Sequence, residues 1–313
     1  MNASLSYCGK PISEKDRKRF LEQLQRLPLE SASLRTAFSN ATDRHWYWVL
    51  TEGRRRSPAL AEKLPKLPSD ETQAQYTGLF GDAGFEQAVR AAGWIRQKAH
   101  ERGLSTGAPT GSLLDFGCGW GRLTQVFLRD FEAKNITACD VSPEALELFR
   151  ETTLPCRLLE VGARPPIELP DNSIDLVTAY SVFSHLSEEV HWAWVKELHR
   201  VLRPGGVMAV TTRPREFIDH VVALRRQTEI PDFARGAASS FLDFEAAYRK
   251  YDSGEFCFDV MGGGGDGREG FYGEALIPKA YVERVWGAVF HSTDFVSHLE
   301  HQSFDQNLLV ARK

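Results

Sequence analysis

The sequence predicts an α/β protein built on a mostly parallel, doubly wound sheet with helices on both of its faces. From residue 111 onward, short apolar runs alternate with amphipathic helical stretches, as expected for strands joined by crossover helices. A glycine-rich segment separates the first apolar run from the first helix. The 313 residues are 42% hydrophobic and 26% charged, which is typical of a globular protein and excludes a disordered chain.

Residues 1–110 lack this alternation and are predicted to form a helical N-terminal extension or cap. Ser13 is a candidate N-cap for a first helix that Pro28 ends. The segment 64–72 contains two prolines and is typical of a linker. A longer helix at about 84–102 has apolar residues recurring on one face.

Residues 111–313 are predicted to form the main domain. The predicted strands are 112–117, 135–140, 156–161, 173–180 and 207–212. The predicted helices between them are 121–131, 142–152 and 187–202. The second of these helices has strong start signals, because Ser142 is a favourable N-cap and Pro143 is suited to the first helical position. The segment 203–206, RPGG, predicts a turn into the fifth strand.

An insertion is predicted after the fifth strand, at about 214–272. It contains predicted helices at 216–228 and 241–251, followed by the glycine-rich run MGGGGDGREG at 261–270. This insertion leaves the C-terminal edge of the sheet, which is where a substrate lid is expected. A helix at about 278–286 and two further strands complete the chain.

The segment LLDFGCGWGR, 113–122, links the first strand to its helix. Its three glycines are Gly117, Gly119 and Gly121. Glycine permits a sharp turn and the close approach of backbone to a ligand. Asp140 ends the second strand, where an acidic side chain can accept both hydroxyls of a ribose. Arg122 replaces the last glycine of a dinucleotide fingerprint, which disfavours a pyrophosphate ligand, and we expect Arg122 to be solvated or to cap.

These motifs together resemble the class I S-adenosylmethionine-dependent methyltransferases. Asp115 stands two residues before the first glycine, and the segments LPDNSIDLV, 169–177, and LHRVLRPGG, 198–206, follow in register. The resemblance is strongest over 111–212 and implies an enzyme whose cofactor is S-adenosyl-L-methionine. It also implies a seven-stranded, Rossmann-like sheet whose last strand is antiparallel, and FDQNLLVARK, 304–313, suits that strand.

The same resemblance implies which residues hold the cofactor. Asp115, Gly117, Cys118 and Gly119 are assigned to its methionine part, Asp140 to the ribose, Val141 to the adenine, Gly162 and Ala163 to the adenine amino group, Ala179 to the methyl-transfer site and Tyr76 to a covering segment. The family commonly has an acidic residue where this chain has Gly162 and Ala163. Any contact at that place therefore comes from the backbone.

Candidate catalytic residues follow from the chemistry of the acceptor. An aliphatic hydroxyl needs a general base, whereas a carboxylate needs none, and histidine is the natural base near neutral pH. The candidates are Tyr180, which the resemblance places at the methyl-transfer site, and His185, five residues further on in the loop after the fourth strand. A third is His301, which with His298 lies near the end of the sixth strand. For each of these residues a packing, capping or surface role is the alternative. His191, on the long helix, is predicted to be a surface or capping residue.

The acceptor is predicted to be a small molecule. The family members that methylate base amino groups resemble one another in an Asn/Asp-Pro-Pro-aromatic motif, and this chain has Ala179-Tyr180-Ser181-Val182 at that place. The acidic excess of residues 70–313 also disfavours nucleic acid. We therefore expect O-methylation of a metabolite, natural product or sugar. The alternatives are C- or N-methylation, and a module that binds the cofactor without turning it over.

The cysteines and the first residues of the chain indicate which metal sites, disulfides and cellular locations to expect. Five cysteines are scattered without a CxxC pair, which argues against disulfides and zinc, so no metal is expected. No secretory signal or membrane-spanning run is apparent, and a cytoplasmic location without a membrane partner is expected. The oligomeric state stays open.

Overall fold

The computed structural model describes residues 13–15, 18, 19, 22, 34–104, 111–230, 234–260, 270–303 and 305–313. Most of the predicted first helix, and residues 261–269 of the glycine-rich run, lie outside these ranges. Within them, no helix has both the length and the apolar character needed to cross a membrane.

The helices predicted from residue 84 onward are present, with bounds within a few residues of those predicted. The structure adds shorter helices that were not predicted, one of which begins within the predicted linker at Asp70. In chain order the helices are α1 Leu34–Phe38, α2 Asp43–Trp48, α3 Arg54–Arg56, α4 Pro58–Ala61, α5 Asp70–Thr77, α6 Gly81–Glu101, α7 Arg122–Phe127, α8 Pro143–Glu151, α9 Glu188–Val201, α10 Phe217–Arg225, α11 Arg235–Ser239, α12 Phe244–Asp252, α13 Lys279–Val285 and α14 His298–His301. The predicted cap of α8 is confirmed, because the Ser142 hydroxyl accepts the N–H of Ala145.

The strands form the predicted doubly wound sheet. They are β1 Leu113–Phe116, β2 Ile136–Asp140, β3 Arg157–Glu160, β4 Ile174–Ala179, β5 Leu202–Thr212, β6 Cys257–Val260, β7 Gly273–Leu276, β8 Ser292–Val296 and β9 Asn307–Arg312. Seven of them form one sheet in the order β3-β2-β1-β4-β5-β9-β8. The pairs β1–β2 and β4–β5 are parallel, whereas β9 is antiparallel to both β5 and β8. The predicted fold class, with its antiparallel last strand, is confirmed.

The described residues divide into two compact units. One unit takes in residues 1–97 and 105–159, and the other takes in 98–104 and 160–313. This division differs from the predicted boundary at residue 110, which stays a prediction.

In the first unit, α6 buries the face that the sequence predicts, with Phe85, Val89 and Ile95 each about 1% exposed. Trp46 of α2 is fully buried, and its indole N–H donates to the carbonyl of Val126 at 2.8 Å. The hydrogen bond satisfies the one polar atom of a large buried ring. The N-terminal helices and α7 therefore share one core.

In the second unit, the long helix α9 packs its apolar stripe inward, as predicted. His191 of α9 also points inward, so its predicted surface role is wrong. The imidazole is fully buried, and its Nε2 accepts the indole N–H of Trp286 at 3.0 Å. Aromatic rings, among them Phe183 and Phe256, surround it. Periodicity places a residue on a helix face but does not show how far neighbouring chain segments cover that face.

Two features of the second unit were not predicted. The strand β5 includes the predicted turn 203–206, because the chain end pairs with it: Gly205 N–H donates to the Lys313 carbonyl and Lys313 N–H donates to the Gly206 carbonyl. The end of the insertion and the residues directly after it also form an antiparallel hairpin, β6–β7, which pairs Cys257 with Leu276. Its partners are separated by the glycine-rich run, so local pattern gives no sign of their pairing.

Candidate functional site

The glycine loop turns sharply after β1. Gly117, Gly119 and Gly121 have φ angles of 75°, 53° and 88°, in the left-handed region that favours glycine. The N–H groups of Gly117 and Cys118 both donate to the carbonyl of Cys139, at 2.8 and 3.0 Å. The loop is thereby fixed to the end of β2.

Asp140 closes this loop from the other side. Its Oδ2 accepts the N–H of Gly119 at 2.8 Å, and its Oδ1 accepts the N–H of Ser142 at 3.0 Å. Each carboxylate oxygen has further lone pairs, and the residue is only half-buried, so it can also accept ligand hydroxyls. The next residue, Val141, is 45% exposed and offers an apolar surface. The accepting carboxylate of Asp140 fits the hydroxyls of a ribose, and the apolar side chain of Val141 fits a base beside it.

Tyr76 lies over the same loop. A Cβ built on Gly119 would stand 3.4 Å from the Tyr76 ring, which is van der Waals contact, so the ring lies directly beside the loop. The ring is 40% exposed and belongs to the last turn of α5, which Gly78 ends in the left-handed conformation. Burial raises the pKa of Tyr76, and the charge of Asp140 raises it further. The predicted covering segment therefore lies against the glycine loop.

Asp115 is a buried residue of β1, two positions before the first glycine of the loop. It is 1% exposed, and its Oδ2 accepts the hydroxyl of Thr124 at 2.5 Å. Burial raises the pKa of Asp115 to about 6, an effect that the Thr124 hydrogen bond opposes. A buried carboxylate is stabilised by a cationic neighbour, and an amino acid ammonium would supply one. Burial also raises the pKa of the Cys118 thiol, which stays uncharged.

Arg122 is neither solvated nor a cap, so that expectation is wrong. It is 7% exposed, and its Nη1 donates to the Gly84 carbonyl at 3.0 Å and to Gln87 Oε1 at 2.9 Å. The guanidinium thus ties the start of α7 to α6. These hydrogen bonds to α6 stabilise the end of the glycine loop, and they leave the guanidinium unable to bind a cofactor carboxylate.

In the second unit, β4 ends in a strained turn. Ala179 is buried, Tyr180 is half-buried, and Ser181 has a φ of 61°, which is uncommon for a residue other than glycine. The N–H of Ser181 donates to Thr211 Oγ1 at 2.8 Å, and its hydroxyl accepts from Gln306 Nε2 at 3.0 Å. Such a conformation persists only where neighbours hold it, and strained turns cluster at functional sites.

His185 follows this turn, and its hydrogen bond fixes the tautomer. Its Nδ1 lies 2.9 Å from the carbonyl oxygen of Gly273, which can only accept, so Nδ1 carries the proton and Nε2 is left as the proton acceptor. The carboxylate of Glu274, 2% exposed, lies 3.8 Å from the same Nδ1. The Tyr272 ring stacks on the imidazole, with the ring centres 5.2 Å apart.

The electrostatic surroundings keep His185 neutral. Burial lowers its pKa below the ordinary 6.5, the charge of Glu274 opposes this shift, and the charge of Arg213 reinforces it. At pH 7 the imidazole is therefore uncharged, which is the form that a general base needs.

His301 has a different environment. It is 5% exposed, its Nε2 lies 2.7 Å from the Gln306 carbonyl, and its Nδ1 accepts the N–H of Ser303 at 3.1 Å. Both ring nitrogens are engaged by backbone, so this geometry favours His185 over His301 as the base. His298 Nδ1 lies 3.4 Å from Asn307 Oδ1.

The predicted adenine segment, Gly162 and Ala163, has few backbone groups that could contact a ligand. Gly162 is exposed, and the carbonyl of Ala163 accepts the indole N–H of Trp194 at 3.0 Å. That carbonyl is therefore already used within its own unit, which leaves Gly162 as the more accessible backbone of the two.

Three residues around His185 were missed: Arg213, Tyr272 and Glu274. They come from the end of β5 and from the hairpin at the end of the insertion. One sequence signal could have found Glu274, since it stands alone among apolar residues in GEALI, 273–277. An acidic residue in such a run is rarely buried without a partner.

Comparison with known proteins decides the family. Residues 113–206 match the family model described as a methyltransferase domain. Within these bounds the chain carries a methyltransferase domain of the class I, S-adenosylmethionine-dependent type. The match covers the glycine loop, Asp140 and His185. The cofactor of such domains is S-adenosylmethionine, which the acceptor groups of Asp140 and the buried carboxylate of Asp115 fit.

Three curated relatives each match part of the chain. A 2-methyl-6-phytyl-1,4-hydroquinone methyltransferase of Synechocystis is 30% identical over 37% of this chain and 36% of its own length. A trans-aconitate 2-methyltransferase of Enterobacter is 34% identical over 31% of this chain and 37% of its own. A malonyl-[acyl-carrier protein] O-methyltransferase of Serratia marcescens is 32% identical over 39% of this chain and 47% of its own. The chain thus spans less than half the length of each of these relatives.

Proposed function

We propose that the protein transfers a methyl group from S-adenosylmethionine to a hydroxyl of a small molecule, such as a metabolite, a natural product or a sugar. The observation that carries the choice of a hydroxyl is the tautomer of His185. A hydroxyl must lose its proton as it attacks, and His185 presents a neutral, unprotonated Nε2 for that proton.

The residues of the first unit hold the cofactor in this proposal. Asp140 accepts the ribose hydroxyls, Val141 flanks the adenine and Tyr76 covers the glycine loop. Asp115 receives the ammonium of the methionine part, where its negative charge gains a partner. The bound cofactor supplies an electrophilic methyl group, so the protein needs to align the acceptor rather than activate the methyl carbon.

The residues of the second unit act on the acceptor. As the acceptor oxygen forms its bond to the methyl carbon, the bond from that carbon to sulfur breaks, and the hydroxyl proton passes to Nε2 of His185. Tyr180, half-buried after β4, lines the methyl-transfer site. Closure of the site against water favours the transfer, because water would compete for hydrogen bonds to the reacting hydroxyl.

A small acceptor is supported by the names of two relatives, which act on a hydroquinone and on trans-aconitate. The third relative acts on a malonyl group carried by a protein. The strand β4 is followed by Ala179-Tyr180-Ser181-Val182 rather than by a motif for base amino groups, which supports the same choice.

Two measurements on the purified full chain test the proposal. Calorimetric titration with S-adenosylhomocysteine should show one saturable site, and NAD should show none. Turnover is then followed as S-adenosylhomocysteine released from S-adenosylmethionine in the presence of hydroxyl and carboxyl acceptors. We expect release with hydroxyl acceptors, and its loss in His185→Gln.

The outcomes separate the alternatives. Binding without release, for every acceptor tried, would indicate a cofactor-binding module. Release that is retained by His185→Gln would indicate an acceptor without need of a base, such as a carboxylate. No binding of either sulfur compound would overturn the proposal.

A further inference from the structure

The hairpin β6–β7 at the end of the insertion is attached directly to the loop that carries His185. Along this contact, the N–H of Gly273 donates to the His185 carbonyl at 2.9 Å, and the N–H of Ala275 donates to the Ser184 carbonyl at 2.7 Å. The N–H of Ser187 donates to the Phe271 carbonyl at 2.8 Å. The loop is therefore paired, residue by residue, with the returning strand of the hairpin.

This pairing delivers three groups to one imidazole. Tyr272 stacks on the ring, the Gly273 carbonyl accepts its Nδ1 proton, and the Glu274 carboxylate lies 3.8 Å from Nδ1. Three consecutive residues of a strand cannot all reach one side chain by their side chains alone, because successive side chains point to opposite faces. Here the middle contact comes from the backbone, and the set becomes compatible with strand geometry.

Glu274 is held in place by a cation. Arg213 Nε donates to Glu274 Oε2 at 3.2 Å, and the guanidinium lies over the ring of Phe217, 4.4 Å from its centre. A carboxylate that is 2% exposed needs such a partner, because an unpaired buried charge costs several kcal/mol. The charged groups facing His185 are thus Glu274 and Arg213, of opposite sign.

We propose that Glu274, paired with Arg213, is a positioning residue that holds the His185 ring with Nε2 as its proton-accepting nitrogen. The negative charge beside Nδ1 favours the proton on that nitrogen, and it stabilises the imidazolium that forms when Nε2 takes a proton. The insertion is then more than a cover, since the hairpin at its end completes the base. This inference rests on the proposed function for the role of His185, but the geometry of the ring can be tested without turnover.

Nuclear magnetic resonance of the full chain with 15N-labelled histidine is the direct test. Long-range proton–nitrogen spectra distinguish the two neutral tautomers, and His185→Gln assigns the signals of this ring. We expect the Nδ1–H tautomer in the unmodified protein. Glu274→Gln should lower the midpoint of the His185 titration and Arg213→Met should raise it, because the first removes a favourable charge and the second removes an unfavourable one.

Matched controls keep the result specific. Arg213→Lys retains the charge and should leave the midpoint close to that of the unmodified protein. The exposed pair Arg215 and Asp252, with a 2.6 Å contact, is a control from the same region, and Arg215→Met or Asp252→Asn should not move the titration. If Glu274→Gln does not fold, Glu274→Asp is used, and it should shift the midpoint without abolishing the Nδ1–H form.

The Nε2–H tautomer in the unmodified protein would overturn the proposal. The proposal would also be overturned if the His185 titration had the same midpoint in the Arg213 variant, the Glu274 variant and the unmodified protein. The same holds if the two substitutions moved the midpoint in the same direction. If the spectra agree with the expected result and no acceptor is methylated, the proposed function fails while the positioning of His185 stands.

Discussion

The Oδ2 atom of Asp140 accepts the backbone N–H of Gly119 at 2.8 Å. The residue that is expected to bind the ribose therefore also fixes the glycine loop that surrounds the cofactor. Binding and loop geometry depend on the same carboxylate, and its removal affects both.

Asp140→Ala should weaken S-adenosylhomocysteine binding by about 1.5–3 kcal/mol, or about 10- to 150-fold, because hydrogen bonds to a charged group are lost. Calorimetric titration measures the change. Asp82→Ala is the control in the same unit, since Asp82 is exposed and pairs with Arg55. Unchanged affinity in Asp140→Ala would remove Asp140 from the ribose role.

Gly119→Ala should also weaken cofactor binding, about 5- to 30-fold. Its φ of 53° costs other residues about 1–2 kcal/mol, so alanine would shift the loop in the free protein, and cofactor binding would have to restore the strained geometry. Gly103→Ala is matched in backbone cost, with a φ of 84° but open space around the added Cβ. The prediction is contradicted if both variants bind the cofactor alike.

His185→Ala should lower turnover by about 10²–10⁴ and leave the affinity for S-adenosylhomocysteine unchanged. The pH profile gives a second readout. Because burial lowers the pKa of His185, the neutral base is retained below pH 6.5, and activity should begin to fall only at a pH lower than an ordinary histidine would allow. A small effect of His185→Ala, compared with the exposed control His220→Gln, would return His185 to a packing role.

His191 should make the protein sensitive to acid. Burial lowers its pKa from 6.5 to about 3, so between these values the unfolded chain takes up a proton that the folded chain does not. The contribution of His191 to the free energy of unfolding is therefore complete above pH 6.5. It decreases by about 1.4 kcal/mol per pH unit as the pH falls toward 3. Urea unfolding at several pH values measures the slope.

The variant His191→Gln should flatten that slope, because glutamine can accept the Trp286 N–H but does not titrate. His220→Gln, at an exposed position, should keep the slope of the unmodified protein. Parallel slopes for His191→Gln and the unmodified protein would show that other groups control the acid sensitivity.

The sequence by itself determined the features that depend on neighbouring residues. Alternating strands and helices, the cap at Ser142 and the glycine loop follow from local backbone and side-chain requirements, and Asp140 follows from its place at a strand end. Only the tertiary structure decided which ring nitrogen of each histidine carries the proton. The tautomer of His185 depends on the carbonyl of Gly273, 88 positions later in the sequence, and that of His191 on the indole N–H of Trp286. Burial and the pairing of distant charges set a pKa, and neither is present in a local pattern of residues.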